Sequence, residues 1–207
     1  IEKDSKIKGF QAAKIKYLPK NILDLKLKRK AINIVFGPRQ TGKSTAIKLL
    51  IKNLLKKGVF SENIFYFNCD AIVSKQELIK IVSSFLENIK TSVKKIPLNY
   101  IFLDEVSSVP DWPFAVKWLV DADLLQNSKI ILTGSSSISL KRSGEFMPGR
   151  RGGGKDIKFL PINFLNYFKL LYPNFPLTDK TNSFKKIKRL QNQLIKKRIN
   201  IRNICLG

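Results

Sequence analysis

The stretch Gly37 to Thr45 reads Gly-Pro-Arg-Gln-Thr-Gly-Lys-Ser-Thr and follows directly on the apolar run Ala31 to Phe36. A glycine, four variable residues and then Gly-Lys-Ser, set between a strand and a helix, is the pattern of a phosphate-binding loop. Gly37 and Gly42 let the backbone bend into a cradle whose N–H groups face phosphate oxygens, and the positive end of the following helix adds to the attraction. Gly37, Pro38, Arg39, Gln40, Thr41, Gly42, Lys43, Ser44 and Thr45 are therefore the nucleotide-binding candidates. Lys43 is expected to reach the β- and γ-phosphates and Ser44 to offer its hydroxyl to Mg²⁺. Arg39, at a variable position of the motif, faces solvent or a partner.

Beyond the loop the pattern alternates. Apolar runs predict strands at Ala31 to Phe36, Ile64 to Asn68, Tyr100 to Leu103, Ile130 to Thr133 and Asp156 to Leu160. Helices are predicted at Lys43 to Lys57, Lys75 to Ile89, Pro113 to Val120 and Asn163 to Leu171. Such alternation implies an α/β fold, a parallel sheet of about five strands joined by right-handed crossovers and sandwiched by helices. Residues 1–30 are expected as a leader, 31–171 as the core, and 172–207 as a basic helical segment that opens a lid or further domain. The absence of an initiating methionine and the apolar end, Asn203 to Gly207, suggest a piece of something longer.

The third strand delivers two adjacent acids, Asp104 and Glu105, to its C-terminal end, the end where ligands bind in an open parallel sheet. Asp104 fits the Mg²⁺-binding acid that pairs with a phosphate loop, and Glu105 sits where a carboxylate can orient and deprotonate an attacking water. A second consecutive acid argues for hydrolysis over phosphoryl transfer to a small molecule. The next strand ends in Thr133, Gly134, Ser135, Ser136 and Ser137, hydroxyls able to bond a γ-phosphate or the water, or else an ordinary Gly-Ser turn. Arg150 and Arg151 follow a loop rich in glycine and serine; an arginine there either stabilises charge on the γ-phosphoryl group, in cis or from a neighbouring subunit, or belongs to a basic surface loop. Trp112 and Trp118 bracket a helix and are expected to pack against the sheet.

The 207 residues, 43% hydrophobic, suffice for one domain with a real core. Two cysteines, Cys69 and Cys205, and no histidine leave no material for a zinc site or disulfide framework. No run of about eighteen uninterrupted apolar residues occurs and no signal peptide is visible, so no membrane partner and a cytoplasmic setting are expected. The formal charge of +24 has two readings. It is either a surface for nucleic acid, with Lys185 to Arg202 contacting phosphates, or a lysine-rich composition drawn from an A+T-rich genome.

Taken in order, Gly37 to Thr45, Leu103 to Trp112, Leu132 to Ser137, Gly149 to Arg150 and Pro161 to Phe164 resemble the prokaryotic AAA-type ATPases whose members usually carry an uncharacterised C-terminal domain. The resemblance runs from about Ala31 to Leu171. It implies a P-loop fold of the ASCE type, with the sensor strand between the phosphate-loop strand and the strand of the paired acids, and ATP and Mg²⁺ as ligands. It carries the catalytic roles onto Lys43, Glu105, Thr133 or Ser135 as sensor, and Arg150, with Ser44 and Asp104 for the metal. Homo-oligomerisation belongs to the same expectation. An asparagine is commoner at the sensor position, a departure here. The function expected is Mg²⁺-dependent ATP binding and hydrolysis coupled to conformational change; the alternatives are a DNA- or RNA-associated ATPase and an ATP-binding switch with little turnover.

Overall fold

Runs of apolar and β-branched residues form four consecutive strands: β1 (Ile32–Phe36), β2 (Ile64–Asn68), β3 (Asn99–Asp104) and β4 (Ser128–Gly134). A short edge strand, β5 (Asp156–Lys158), follows. The computed structural model describes residues 3–14, 16–92, 98–135, 149–171 and 192. All strand pairs are parallel, in the spatial order β2-β3-β4-β1-β5. β4 thus lies between β1 and β3, with Ile32 opposite Ile130, Phe36 opposite Gly134 and Leu103 opposite Leu132.

The period-two alternation of each strand sorts its side chains onto two faces. Ile32, Ile34, Ile101, Leu103, Ile130 and Leu132 belong to the core beneath α4 (Lys75–Ser92) and α5 (Trp112–Asp121). Val35, Tyr100, Phe102 and Ile131 point the other way, against α3 (Lys43–Lys56), which contributes Ala46, Ile47, Leu50 and Ile51 at helical spacing. Each such aliphatic side chain, fully buried, contributes about 1.5–3 kcal/mol. α3 stops at Gly58, whose φ of 84° few side chains tolerate. There Gly58 N–H donates to Leu55 O and Val59 N–H to Leu54 O, closing the helix end.

Element ends differ from the apolar patterns for physical reasons. β3 and β4 begin earlier than expected because Asn99 and Ser128, though polar, are buried where the neighbouring ladders continue. β5 stops at Lys158 because it is an edge strand, and Leu160 beyond it is about half exposed. Trp112 packs in the core as expected, whereas Trp118 does not: it is half exposed, on the outer face of α5 one turn after exposed Phe114. The stretch ahead of β1 holds two helices, α1 (Ser5–Ala12) and α2 (Lys20–Leu23), both packed on α3 through fully buried Ile7 and Ile22.

The chain forms two compact units, one comprising Ile1–Ala12 with Leu18–Pro161, the other Ala13–Tyr17 with Ile162–Gly207. Within the second, α6 (Phe164–Leu171) is capped by Asn163, whose side-chain oxygen accepts from Asn166 N–H at 2.8 Å. The basic segment Lys180 to Arg202 lies outside the described residues save Asn192, as do Ser136, Ser137 and Cys205. No helix among the described residues is long and apolar enough to cross a membrane.

Candidate nucleotide site

At the end of β1 the chain must turn hard beneath β5, and Gly37 is the residue that permits it. A Cβ there would stand 1.8 Å from the carbonyl oxygen of Phe159, so no side chain fits. Gln40 (φ 60°) and Gly42 (φ 93°) both adopt left-handed backbone, which rounds the loop into α3. Thr41 Oγ1 donates to Pro38 O at 2.9 Å and stiffens the loop from within. Lys43, the first residue of α3, is only 3% exposed. Its buried ammonium donates to Gly37 O at 3.1 Å and Pro38 O at 2.9 Å, and lies 3.5 Å from Glu105 Oε1.

Asp104 ends β3 and is 2% exposed. A carboxylate so buried needs partners. The Thr133 hydroxyl, from the neighbouring β4, donates to Oδ1, and the Tyr66 hydroxyl, from β2, donates to Oδ2 at 2.7 Å. Burial first, and then the negative charge of Asp104, push the Tyr66 phenol above its ordinary range, so it stays protonated and able to donate. Burial, followed by the charges of Asp104 and Asp70, pushes the Cys69 thiol up to about 12, which leaves it a neutral core residue.

Glu105 adopts left-handed backbone (φ 52°), a conformation costing a non-glycine residue about 1–3 kcal/mol. Three hydrogen bonds hold it there. Its N–H donates to Thr133 Oγ1 at 2.9 Å, and its carbonyl accepts from the N–H of Ser108 at 3.0 Å and from the Ser108 hydroxyl at 2.8 Å. Thr133 therefore bonds both acids at once, one through its side chain and one through its backbone. The N–H of Ser135 donates to Ser107 Oγ at 3.3 Å, tying the end of β4 to the turn after Glu105.

These residues surround one cavity of about 610 Å³. Arg39, Gln40, Gly42, Lys43, Ser44 and Thr45 line it from the loop and α3, and Asp104 and Glu105 from the end of β3. Gly37, Pro38 and Thr41 frame the loop behind them, and Thr133 stands buried behind Asp104. Arg150 is elsewhere. Its Nε bonds Asp121 Oδ1 at 2.6 Å at the C-terminal end of α5, and that hydrogen bond holds the Asp121 carboxyl below its usual range. Arg151 bonds Asp156 at 2.7 Å and Ile32 O at 3.4 Å, at the start of β1 rather than at its loop end. β1 spans five residues at about 3.3 Å each, which separates both arginines from the loop.

Sequence reasoning missed Tyr66, Lys6, Asn68 and Asp70, all at or beside the cavity. The alternation of β2 signals a strand, but only the register with β3, which sets Asn68 opposite Asp104, brings Tyr66 to the acid.

Residues 29–168 match the AAA domain family. An uncharacterised protein of Haemophilus influenzae is 29% identical over 140 residues, covering 66% of this chain and 32% of that protein. Three solved structures share the fold. Cdc6p from Pyrobaculum aerophilum superposes with a TM-score of 0.51 at 15% identity, over 77% of this chain and 50% of that one. ORC2 of Aeropyrum pernix, in ADPNP and ADP complexes, gives 0.51 at 14%, over 69% and 45%. The replication initiator DnaA, bound to AMPPCP and single-stranded DNA, gives 0.50 at 15%, over 97% and 63%. The chain thus spans about a third of the Haemophilus relative and about half of the first two of these structures.

Proposed function

The chain belongs to the AAA domain family, and from that premise we propose that it binds ATP with Mg²⁺ between the phosphate loop and the paired acids, hydrolyses it, and couples nucleotide state to conformational change. The observation that carries this reading is the convergence of Lys43, Ser44, Asp104 and Glu105 on one cavity, from the loop end of β1 and the end of β3. Loop N–H groups and the start of α3 would hold the phosphates, and the Lys43 ammonium would move from the loop carbonyls to the β- and γ-phosphate oxygens. Glu105 would take the proton of the attacking water, its position set by Thr133 and Ser108. The bonds from Glu105 to Thr133 and from Ser135 to Ser107 would carry a change at the acids to the end of β4.

The residues fit a Mg²⁺ ion shared with the nucleotide. Among the described residues no group of three His, Cys, Asp or Glu could hold a metal alone. Mg²⁺ needs only one or two protein oxygens beside phosphates and water, and the Ser44 hydroxyl with Asp104 supplies them. Asp104 is suited to this, since it is a buried carboxylate whose two hydrogen-bond partners are neutral hydroxyls. When bound, the ion would neutralise charge on the β- and γ-phosphates. Arg150 has no reach to its own cavity in this arrangement, so its role in phosphate chemistry would be in trans, within a homo-oligomer.

Calorimetric titration of ATP with Mg²⁺ and with EDTA tests the reading; one site per chain, tightened by Mg²⁺, is expected. Tyr66→Phe keeps the ring and removes the hydroxyl that orients Asp104. It should raise the Mg²⁺ concentration for half-maximal tightening by about tenfold or more, the usual cost of losing an outer-shell partner, and leave metal-free binding unchanged. An unshifted Mg²⁺ midpoint would remove Tyr66 from the metal site.

The charge of +24 favours a second reading, an ATPase that acts on nucleic acid. Binding to single- or double-stranded DNA should then weaken steeply with salt, at about 0.7–0.9 decades of affinity per decade of salt for each phosphate contacted. Failure to bind either at low salt would leave the charge as composition.

A further inference from the structure

The cavity has a wall that the phosphate loop and the acids do not supply. Among the described residues lining it, Lys6 of α1 is the one cation from outside the loop, Arg39 and Lys43 being the others. We propose that Lys6 meets the γ-phosphate in cis and stabilises the charge that gathers there during hydrolysis, an inference that rests on the nucleotide reading above.

α1 is fixed where this requires. Asp4 caps it, one carboxylate oxygen accepting from the N–H groups of Lys6 at 3.0 Å and Ile7 at 3.2 Å. The other oxygen pairs with Lys48 Nζ of α3 at 2.5 Å. Burial pushes the Asp4 carboxyl up, but the bonds from Lys48 and Ile7 outweigh it and hold the group below its usual range, so the anchor is charged at neutral pH. Ile7, fully buried, seats the helix.

The anchor also says which end of the nucleotide α1 faces. Lys48 lies one turn beyond Ser44 on the same face of α3, and its ammonium stands 5.2 Å from the ring of Tyr66, whose hydroxyl reaches Asp104. α1 is therefore tethered on the side of Ser44 and Asp104. With Lys43 on the β- and γ-oxygens and Ser44 and Asp104 on the metal, that side is the γ-phosphate end. Arg150 and Arg151, the two arginines expected near the γ-phosphate, are paired instead with Asp121 and Asp156. Lys6 itself is an exposed side chain on a flexible stem, able to meet phosphate as a point charge.

Affinities for ATP and ADP, measured with Mg²⁺ on the whole chain, test this. Lys6→Ala should weaken ATP by about tenfold or more, the worth of one charge-assisted hydrogen bond, and leave ADP and the melting temperature unchanged; Lys6→Arg should restore ATP. Equal losses for both nucleotides, or no loss for either, would overturn the inference. Intact nucleotide binding in a parallel Lys43→Ala variant would overturn the nucleotide reading itself, and this inference with it.

Discussion

Lys43→Ala is expected to abolish ATP binding. The ammonium is buried and held by two loop carbonyls and by Glu105, so its charge is positioned before any phosphate arrives. Transferring it to two phosphate oxygens exchanges neutral acceptors for anionic ones. Two charge-assisted hydrogen bonds at about 1.5–3 kcal/mol each amount to at least a hundredfold in Kd, enough to take an ordinary nucleotide affinity out of the measurable range. Unfolding should be followed alongside, since the carbonyls of Gly37 and Pro38 lose a donor. A folded Lys43→Ala chain that binds ATP as tightly as the parent would mean that the phosphates lie elsewhere.

Glu105→Gln should separate binding from chemistry. Glutamine keeps the size of the side chain and leaves untouched the bonds that fix its backbone to Thr133 and Ser108. It cannot accept the proton of the attacking water. Hydrolysis should slow by a factor of about 10²–10⁴, the range for losing a positioned base, with ATP affinity retained. The ion pair with Lys43 is also lost, and that frees the ammonium for phosphate, so affinity should hold or rise. Equal turnover in the two proteins would take Glu105 out of the mechanism.

Much of the fold was legible because its signals are local. The phosphate loop is contiguous, β1 to β4 are apolar runs, and the acids stand at a strand end where a parallel sheet presents them. The place of β4 between β1 and β3 came from the family resemblance, and the ladders Ile32 to Ile130 and Leu103 to Leu132 agree with it. What the pattern concealed depends on contacts distant in sequence. Ile7 and Ile22 sit among lysines, in helices of eight and four residues too short for a periodic pattern, and only their burial against α3 makes them core. Asp4 finds Lys48 across 44 positions, and Tyr66 finds Asp104 through strand register. Thr133, read with Ser135 as a candidate hydroxyl for the γ-phosphate or the attacking water, bonds Asp104 and the Glu105 N–H, contacts that the sequence alone did not reveal. The Gly-Arg spacing gave Arg150 no address: it bonds Asp121 at the C-terminal end of α5, and Arg151 beside it bonds Ile32 O at the start of β1.

Phosphate release from ATP should be followed at steady state for the parent chain and Glu105→Gln side by side, with Mg²⁺ and with EDTA. The parent should turn over ATP at a rate that EDTA abolishes and that Glu105→Gln lowers by about a hundredfold or more. ATP left intact by the parent chain, or phosphate released at the same rate by both proteins, would contradict hydrolysis by Glu105 at this site.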